Sequence, residues 1–313
     1  MSKLLDSIDQ RTRLVGENRL ELLMFRLRGR QLFAINVFKV QEVVKVPTLR
    51  AVPHSHPHIK GVAHLRGQTV PVIDLSAAIG NGPLTDIANA NLIVAEYNRS
   101  VQAFLIGAVD RIANLNWDVI LPPPKGAGRA HFLTAITRLE EQLVEILDVE
   151  RVLADIIPYN TRVSEKVLDA DLATEARKRK LKILLADDSP TAIKQVQETL
   201  QNIGVEVLYV QDGLQALKQL QQWVREGRNL DDEILMLVTD AEMPEMDGYR
   251  LTAEVRKDPA LKNLYVVLHT SLSGSFNKAM VEKVGCDDFL SKFQPDELAQ
   301  VVQKRLRQVL SPE

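Results

Sequence analysis

The feature that most constrains the fold of this chain is a short apolar run in its C-terminal half that ends in an aspartate. Residues 234–238, Ile-Leu-Met-Leu-Val, show no polar alternation, and this pattern predicts a parallel strand buried on both faces. Asp240 follows, at the strand end where open α/β sheets present side chains to ligands. A single aspartate in such a place is more often a solvated loop residue, so its interpretation depends on its companions.

Three further apolar segments of the same half, each of strand length, are followed by polar residues. These residues are Asp187 and Asp188 after 182–186, Thr270 after 264–268, and Lys292 after 289–291. If the strands are parallel, all of these groups meet at one edge of one sheet. Crowded carboxylates repel one another, and Mg²⁺, which prefers oxygen ligands, relieves that repulsion. The sequence therefore predicts a site where a carboxylate carries a phosphoryl group that the metal, the amine and the hydroxyl hold.

Four motifs in this order make residues 181–310 resemble the receiver domain of two-component response regulators. They are LLADDSP at 184–190, VTDAEMPEMDG at 238–248, VVLHTS at 266–271 and FLSKF at 289–293. Five βα units predict a flavodoxin-like α/β sheet with strand order 2-1-3-4-5. The resemblance implies that Mg²⁺ is the cofactor, and it implies a role for each site residue. The roles are Asp240 as phosphoacceptor, Asp187, Asp188, Asp240 and the backbone carbonyl of Glu242 as metal ligands, Thr270 as switch hydroxyl, Lys292 as phosphate-pairing lysine, and Phe289 as switch aromatic.

Three features of this half depart from the receiver pattern. Phe293 follows Lys292 where the family usually has proline, so the geometry of that loop is open. Phe289 stands where tyrosine is common, which keeps an aromatic ring and removes its hydroxyl. Residues 225–232 predict a loop longer than usual, away from the site.

The N-terminal half shows paired apolar strands separated by short turns. The pairs lie at 23–35, 62–73, 92–106 and 131–147, and repeated hairpins of this kind indicate a sandwich or barrel. Five short motifs make residues 18–158 resemble the CheW family of chemotaxis adaptors, namely VQEVV at 40–44, VP at 52–53, IKGV at 59–62, LRG at 65–67 and VPVIDL at 70–75. The resemblance implies two small SH3-like β-barrels that dock between chemoreceptor signalling tips and the histidine kinase CheA.

Two residues of this half are candidates for the docking interface. Arg66 matches the arginine of the family's Asn-Leu-Arg-Gly motif, which reads His-Leu-Arg-Gly here, although a solvated hairpin arginine would look the same. Glu42 is a second candidate, and a solvated strand face explains it equally well. The sequence alone does not separate a docking patch near Val43 from the core.

His54, His56 and His58 alternate and could bind a metal if they lay on one strand. Pro53 and Pro57 interleave them, however, and this favours a loop.

Length and composition set broad limits on the class of protein. The 313 residues predict two ordinary domains, divided as an N-terminal helix at 1–17, a CheW-like domain at 18–160, a helical linker at 161–180 and a receiver at 181–313. A net charge of −2 argues against a general nucleic-acid binder, and one cysteine, Cys286, fits a reducing compartment. The N-terminus does not resemble a signal peptide and no stretch of 18 apolar residues occurs, so we expect a cytoplasmic protein associated with chemoreceptor arrays.

Both resemblances in one chain, in this order, are typical of CheV-type chemotaxis coupling proteins. The expected function is coupling of chemoreceptors to CheA, regulated by Mg²⁺-dependent phosphorylation of Asp240 as an adaptation or phosphate-sink device, without turnover of small substrates. Two alternatives stay open from the residues alone. One is an aspartate-dependent phosphohydrolase, which would need a cap domain, and the other is a response regulator with a non-chemotactic output.

Overall fold

A computed structural model describes residues 19–97, 100–116, 119–121, 132–157, 162–201, 203–270 and 284–310 of the chain. The N-terminal helix predicted at 1–17 lies outside these residues. The chain divides near residue 160 into two compact units. Within the described ranges, no helix combines the length and apolar composition needed to cross a bilayer.

The first unit is built almost entirely of short strands. They are β1 (Arg19–Arg26), β2 (Leu32–Asn36), β3 (Val40–Lys45), β4 (Ile59–Leu65), β5 (Gln68–Asp74), β6 (Asn91–Tyr97), β7 (Ser100–Ile106), β8 (Val109–Asn116), β9 (Leu133–Leu139) and β10 (Gln142–Leu147), with short helices α1 (Leu75–Ala78) and α2 (Val149–Ile156). They form two five-stranded sheets, in the orders β8-β1-β2-β10-β9 and β3-β6-β7-β5-β4. The four predicted hairpins are present as antiparallel pairs, and the all-β prediction for this half is confirmed.

The hairpin that carries Arg66 shows how local chemistry sets the register. Arg66 and Gly67 are the two residues between β4 and β5, and both have positive φ, 48° and 81°. A two-residue loop with this geometry matches the twist of the flanking strands, and glycine adopts the second position without strain. The turn therefore places the Arg66 side chain at the tip of the hairpin.

The second unit alternates strands and helices. They are α3 (Ala170–Arg179), β11 (Lys182–Ala186), α4 (Pro190–Leu200), β12 (Glu206–Val210), α5 (Gly213–Arg225), α6 (Leu230–Glu233), β13 (Ile234–Thr239), α7 (Gly248–Lys257), β14 (Val266–Thr270), β15 (Asp288–Ser291) and α8 (Pro295–Leu310). The strands pair in parallel in the order β12-β11-β13-β14-β15. This order confirms the predicted flavodoxin-like 2-1-3-4-5 sheet.

Apolar side chains cover both faces of this sheet. One core packs strand residues such as Ile183 and Val238 against α3, α4 and α8. The other packs Leu184 and Leu237 against α5 and α7. All six residues of β13 are buried, as its unbroken apolar run predicted. Because both faces are covered, polar side chains of the central strands can reach solvent only at the strand ends, where the site lies.

Candidate functional site: an acidic cluster at the carboxyl edge of the parallel sheet

A buried lysine joins two carboxylates at the carboxyl ends of β11 and β13. Lys292 Nζ lies 2.9 Å from Asp187 Oδ2 and 2.9 Å from Asp240 Oδ2, and its side chain is 1% exposed. Carboxylate oxygens of Asp187, Asp188 and Asp240 lie within 4.8 Å of one another. The structure thus brings together four residues that stand as far as 105 positions apart in the chain.

Backbone hydrogen bonds set the position of these carboxylates. The Asp240 N–H donates to Ala186 O at 2.8 Å, so β13 and β11 end at the same level. Asp240 Oδ1 accepts from the Ala241 N–H at 2.7 Å, which leaves Oδ2 facing Lys292. Asp187 Oδ1 accepts from the Ser189 N–H at 2.9 Å. Each buried carboxylate is therefore held through one oxygen while its other oxygen contacts the lysine.

Gly248 allows the loop after Asp240 to close tightly. A Cβ atom at this position would lie 2.0 Å from Asp240 O, closer than any side chain tolerates. The Gly248 N–H also donates to Ala241 O at 3.1 Å, and Asp247 caps α7 through the Arg250 N–H at 2.7 Å. The absence of a side chain at Gly248 is thus a backbone requirement for the position of Asp240.

Burial dominates the electrostatics of this cluster. It raises the pKa of the Asp187 carboxyl to about 7, since the charged form loses its hydration; the Asp240 charge adds to this shift, whereas Lys292 opposes it. One lysine cannot compensate three neighbouring carboxylates. The cluster therefore favours a further cation.

The donor set fits Mg²⁺. Asp187, Asp188 and Asp240 supply carboxylate oxygens close enough to share one ion, and oxygen is the donor that this metal prefers. Bound there, the ion would neutralise charge on the carboxylates and on phosphoryl oxygens. Among the described residues, this is the one group of acidic, histidine or cysteine side chains found with such geometry.

The loop that carries His54, His56 and His58 is arranged differently from the acidic cluster. The His56 and His58 rings lie 5.0 Å apart, and the His58 N–H donates to His56 Nδ1 at 3.3 Å. His54 has a positive φ of 57°. The three residues do not lie in a strand, so the loop interpretation is favoured over the metal-binding alternative.

Thr270, Phe289 and Glu242 belong to the strands and the loop that adjoin the cluster. Thr270 is buried at the end of β14, and its carbonyl accepts a hydrogen bond of 2.9 Å from the Lys292 N–H. Phe289 is half-buried in β15, opposite Leu268 of β14. Glu242 lies half-buried in the loop two residues after Asp240. The structure places all three near the cluster, and their roles stay predictions.

Tyr249 is a residue of this region that the sequence reasoning missed. It is buried in the first turn of α7 and joins Ala241 and Leu268 in a small apolar cluster against which Phe289 packs. Burial raises the pKa of the Tyr249 hydroxyl, and the negative charge of Glu242 adds to the shift. An aromatic residue directly after the glycine of the loop was the available signal.

The residue after Lys292 adopts an unusual backbone conformation. Phe293 is buried and has φ of 63°, in the left-handed region that a bulky residue rarely occupies. Proline, which the receiver family usually has here, is restricted to φ near −65° and could not adopt this conformation. The departure therefore changes the loop backbone, and Lys292 still contacts both carboxylates.

The two interface candidates of the first unit contact each other. Arg66 Nη2 lies 2.6 Å from Glu42 Oε2, which joins the β4–β5 turn to strand β3. The Arg66 side chain is 78% exposed, whereas that of Glu42 is 21% exposed. Val43, the neighbour of Glu42, is an exposed aliphatic residue. Glu42 and Val43 are consecutive in β3, so their side chains lie on opposite faces of the sheet, and the exposed charged position next to Glu42 is Arg66 at the hairpin tip.

Comparisons with known proteins agree with this architecture. Residues 21–156 match the family model of the CheW-like domain, and residues 183–303 match that of the response regulator receiver domain. Chemotaxis protein CheV3 of Helicobacter pylori is 30% identical over 302 residues, covering 92% of this chain and 94% of that protein. Chemotaxis protein CheV1 of the same organism is 30% identical over 329 residues, covering 98% and 99%. The crystal structure of the scaffolding protein TtCheW from Thermoanaerobacter tengcongensis is 26% identical, covers 41% of this chain and 88% of that chain, and has a TM-score of 0.38.

The fold and the site thus define a chemotaxis protein in which a CheW-like coupling domain is fused to a response regulator receiver domain. With a relative of 30% identity along nearly its whole length, the chain belongs to the CheV family of chemotaxis proteins.

Proposed function

We propose that this protein couples chemoreceptors to the histidine kinase CheA and that phosphorylation of Asp240 regulates the coupling. The observation that carries the proposal is the position of Lys292, whose ammonium contacts Asp187 and Asp240 at 2.9 Å in a buried acidic cluster. A lysine there can pair with phosphoryl oxygens once Asp240 is modified. The CheW-like domain supplies a docking unit of the kind that scaffolding proteins use.

The chemistry is an in-line phosphoryl transfer. The P–N bond of a phosphohistidine on the kinase breaks, and a P–O bond to an Asp240 carboxylate oxygen forms, while the imidazole leaves as the neutral or protonated ring. Asp187 and Asp188, with Asp240 and the carbonyl of Glu242, would hold Mg²⁺ beside the acceptor. Lys292 and the Thr270 hydroxyl would bind the phosphoryl oxygens, since phosphoryl transfer depends mainly on positioning and charge neutralisation.

The direct test is label transfer from phosphorylated CheA. The full chain, incubated with ³²P-labelled CheA in Mg²⁺, is expected to acquire label on Asp240, because the three carboxylates then bind the metal that the transfer needs. In excess EDTA, the label on this chain is expected to fall to background. Intact mass and peptide mapping locate the phosphoryl group. Equal labelling with and without Mg²⁺, or label at another residue, would contradict the proposal.

Glu242 is expected to control the lifetime of the phosphorylated state. Its carboxylate lies two residues after Asp240, where it can accept a proton from an attacking water. We expect Glu242→Ala to slow phosphate loss roughly tenfold, below the hundredfold typical of a dedicated general base. Decay of labelled protein after removal of the donor measures the rate. The control is Glu245→Ala, which removes an exposed carboxylate from the same loop; an unchanged decay rate in Glu242→Ala would reject this role.

Arg66 is expected to contribute to docking rather than to folding. Its ion pair with Glu42 is solvent-exposed on the arginine side, so its loss should cost less than about 1 kcal/mol of stability. We expect Arg66→Ala to reduce retention on immobilised chemoreceptor signalling tips at least about fivefold, the loss that follows truncation of an arginine among the few residues that dominate an interface. Arg111→Ala, which removes another exposed ion-paired arginine of this unit, is the matched control. Equal retention of Arg66→Ala and wild type would remove Arg66 from the interface.

A further inference from the structure

Residues 162–181, which we call the strap, pack against the core of the receiver unit instead of forming a free linker. Six apolar side chains of the strap join the core that α4 and α8 cover; they are Val163, Val167, Leu168, Leu172, Ala176 and Leu181. The backbone also approaches closely, because a Cβ on Gly204 would lie 2.2 Å from Ala173 O. The segment predicted as a linker therefore belongs to the folded receiver unit.

Polar contacts fasten the strap to α8 along the whole helix. Ser164 donates from its N–H and its hydroxyl to the two carboxylate oxygens of Asp296, at 2.7 and 2.6 Å. The Asp169 N–H donates to Gln303 Oε1 at 2.9 Å, and Gln303 Nε2 donates to Val167 O at 2.7 Å. Further contacts follow in the same order, Asp169 with Arg307 and Arg179 with Val309 O. The strap thus runs parallel to α8 and begins at the N-terminal end of that helix.

The N-terminal end of α8 is also the end next to the acidic cluster. Asp296, which holds the start of the strap, stands four residues after Lys292. Four residues span at most about 14 Å even when fully extended. Between them lies buried Phe293, whose left-handed backbone makes the turn from β15 into α8. The start of the strap therefore lies close in the chain fold to the segment that carries Lys292, whose ammonium group contacts the acidic cluster.

The two ends of the strap are held differently. Near its C-terminal end, the apolar residues of α3 are packed beneath α8, and in its middle Val167 and Asp169 are held by Gln303, which is 3% exposed. Near its start, the two hydrogen bonds from Ser164 to Asp296 are exposed to solvent. These bonds lower the pKa of the Asp296 carboxyl, because they stabilise its charged form. The start of the strap is thus the part that can detach while the remainder stays packed.

We propose that the start of the strap, residues 162–166, releases from α8 when Asp240 is phosphorylated, and that this release carries the receiver's state to the segment joining the two units. The inference rests on the proposed phosphorylation of Asp240. Before phosphorylation, the Lys292 ammonium group lies between Asp187 and Asp240. A phosphoryl group on Asp240 offers it new anionic oxygens further from the strand ends. Movement of Lys292 toward them shifts the first turn of α8, and Asp296 then leaves Ser164. If phosphorylation of the receiver unit regulates coupling, the change must reach the first unit. The strap is the part of the receiver unit that follows the first unit in the chain.

Amide hydrogen exchange on the full chain tests this release. Wild type in Mg²⁺ is compared with and without excess acetyl phosphate, and a parallel intact-mass sample records the phosphoryl group gained. We expect exchange in peptides covering 162–166 to become at least about fivefold faster, since each of the two hydrogen bonds lost changes the opening equilibrium by a factor of about two or more. Asp240→Asn should show no such change. A phosphoryl mass gain with unchanged exchange at 162–166 overturns the strap inference, whereas no mass gain from acetyl phosphate or from phosphorylated CheA overturns the proposed function itself.

Two variants isolate the contact between Ser164 and Asp296. Asp296→Ala should exchange rapidly at 162–166 without acetyl phosphate and respond no further, while it still gains the phosphoryl mass. Glu297→Ala removes the adjacent acidic residue from the same helical turn and should behave as wild type. If Asp296→Ala responds as wild type does, the start of the strap is not held through this contact and the inference fails.

Discussion

Replacing Asp240 with asparagine is expected to abolish phosphoryl transfer from phosphorylated CheA. Asparagine keeps the shape of the side chain and can accept the Ala241 N–H bond through its amide oxygen. Its amide nitrogen, however, is not a nucleophile toward phosphorus, and no carboxylate is left in that position. We expect labelling to fall at least about a thousandfold, well within the losses that follow removal of an enzyme's nucleophile. The rate of label transfer in Mg²⁺ measures the effect.

The fold should survive this substitution, so that the loss of label reports on chemistry. One of three crowded carboxylates disappears, which reduces repulsion, while Lys292 keeps its contact with Asp187. The matched control is Asp212→Asn. Asp212 is another buried aspartate of the receiver and caps α5, a position that asparagine fills equally well. Asp212→Asn should be labelled normally, and persistent labelling of Asp240→Asn would show that another residue is the acceptor.

Replacing Lys292 with methionine is expected to destabilise the receiver unit strongly when no metal is present. The change leaves buried Asp187 and Asp240 without their shared cation. Removal of one partner from a buried ion pair typically costs about 3–5 kcal/mol. We expect the free energy of unfolding of the receiver unit to fall by about 3 kcal/mol in EDTA. This is the low end of that range, since protonation of Asp187 removes one of the two unpaired charges. Saturating Mg²⁺ should recover part of the loss by neutralising the same carboxylates.

Urea unfolding followed by tryptophan fluorescence measures this effect. The chain has two tryptophans, and a Trp117→Phe background leaves Trp223 in α5 as a probe of the receiver unit. Lys182→Met is the control, because Lys182 forms a partly exposed ion pair with Glu206 at 3.8 Å. Such a pair contributes less than about 1 kcal/mol to the free energy of unfolding. If both lysine variants unfold at the same urea concentration in EDTA, the buried contacts of Lys292 do not stabilise the fold.

Local sequence patterns were sufficient for the strands of the sheet, and the resemblance to receiver domains supplied their order. The run at Ile234–Thr239 is apolar at nearly every position because β13 is covered on both faces, and that requirement is visible in a single segment. The hairpins of the first unit were equally visible, since their turns need residues such as Gly67 that tolerate positive φ. Once the strands are parallel, the side chains that follow them must gather at one edge, so Asp187, Asp240 and Lys292 could be grouped without coordinates.

Other features depend on contacts that no local pattern encodes. Tyr249 could not be placed beside Phe289 from sequence, because an aromatic residue in the first turn of a helix can face the core or solvent. The left-handed backbone of Phe293 was equally hidden, since only surrounding structure can hold a bulky residue in that conformation. For these residues, the neighbours decide the conformation.

The amino-acid sequence by itself therefore determined the strands, the hairpins and the set of residues at the carboxyl ends of the receiver strands, because periodicity and turn chemistry are local, while the kinds of domain and the strand order followed from the resemblance of its motifs to known families. Only the tertiary structure decided that residues 162–181 form a strap instead of a spacer. Its charged and alanine-rich composition predicts a helix but not what that helix packs against. The deciding contact joins Asp169 to Gln303 across 134 residues, and such a contact exists only once the chain has folded.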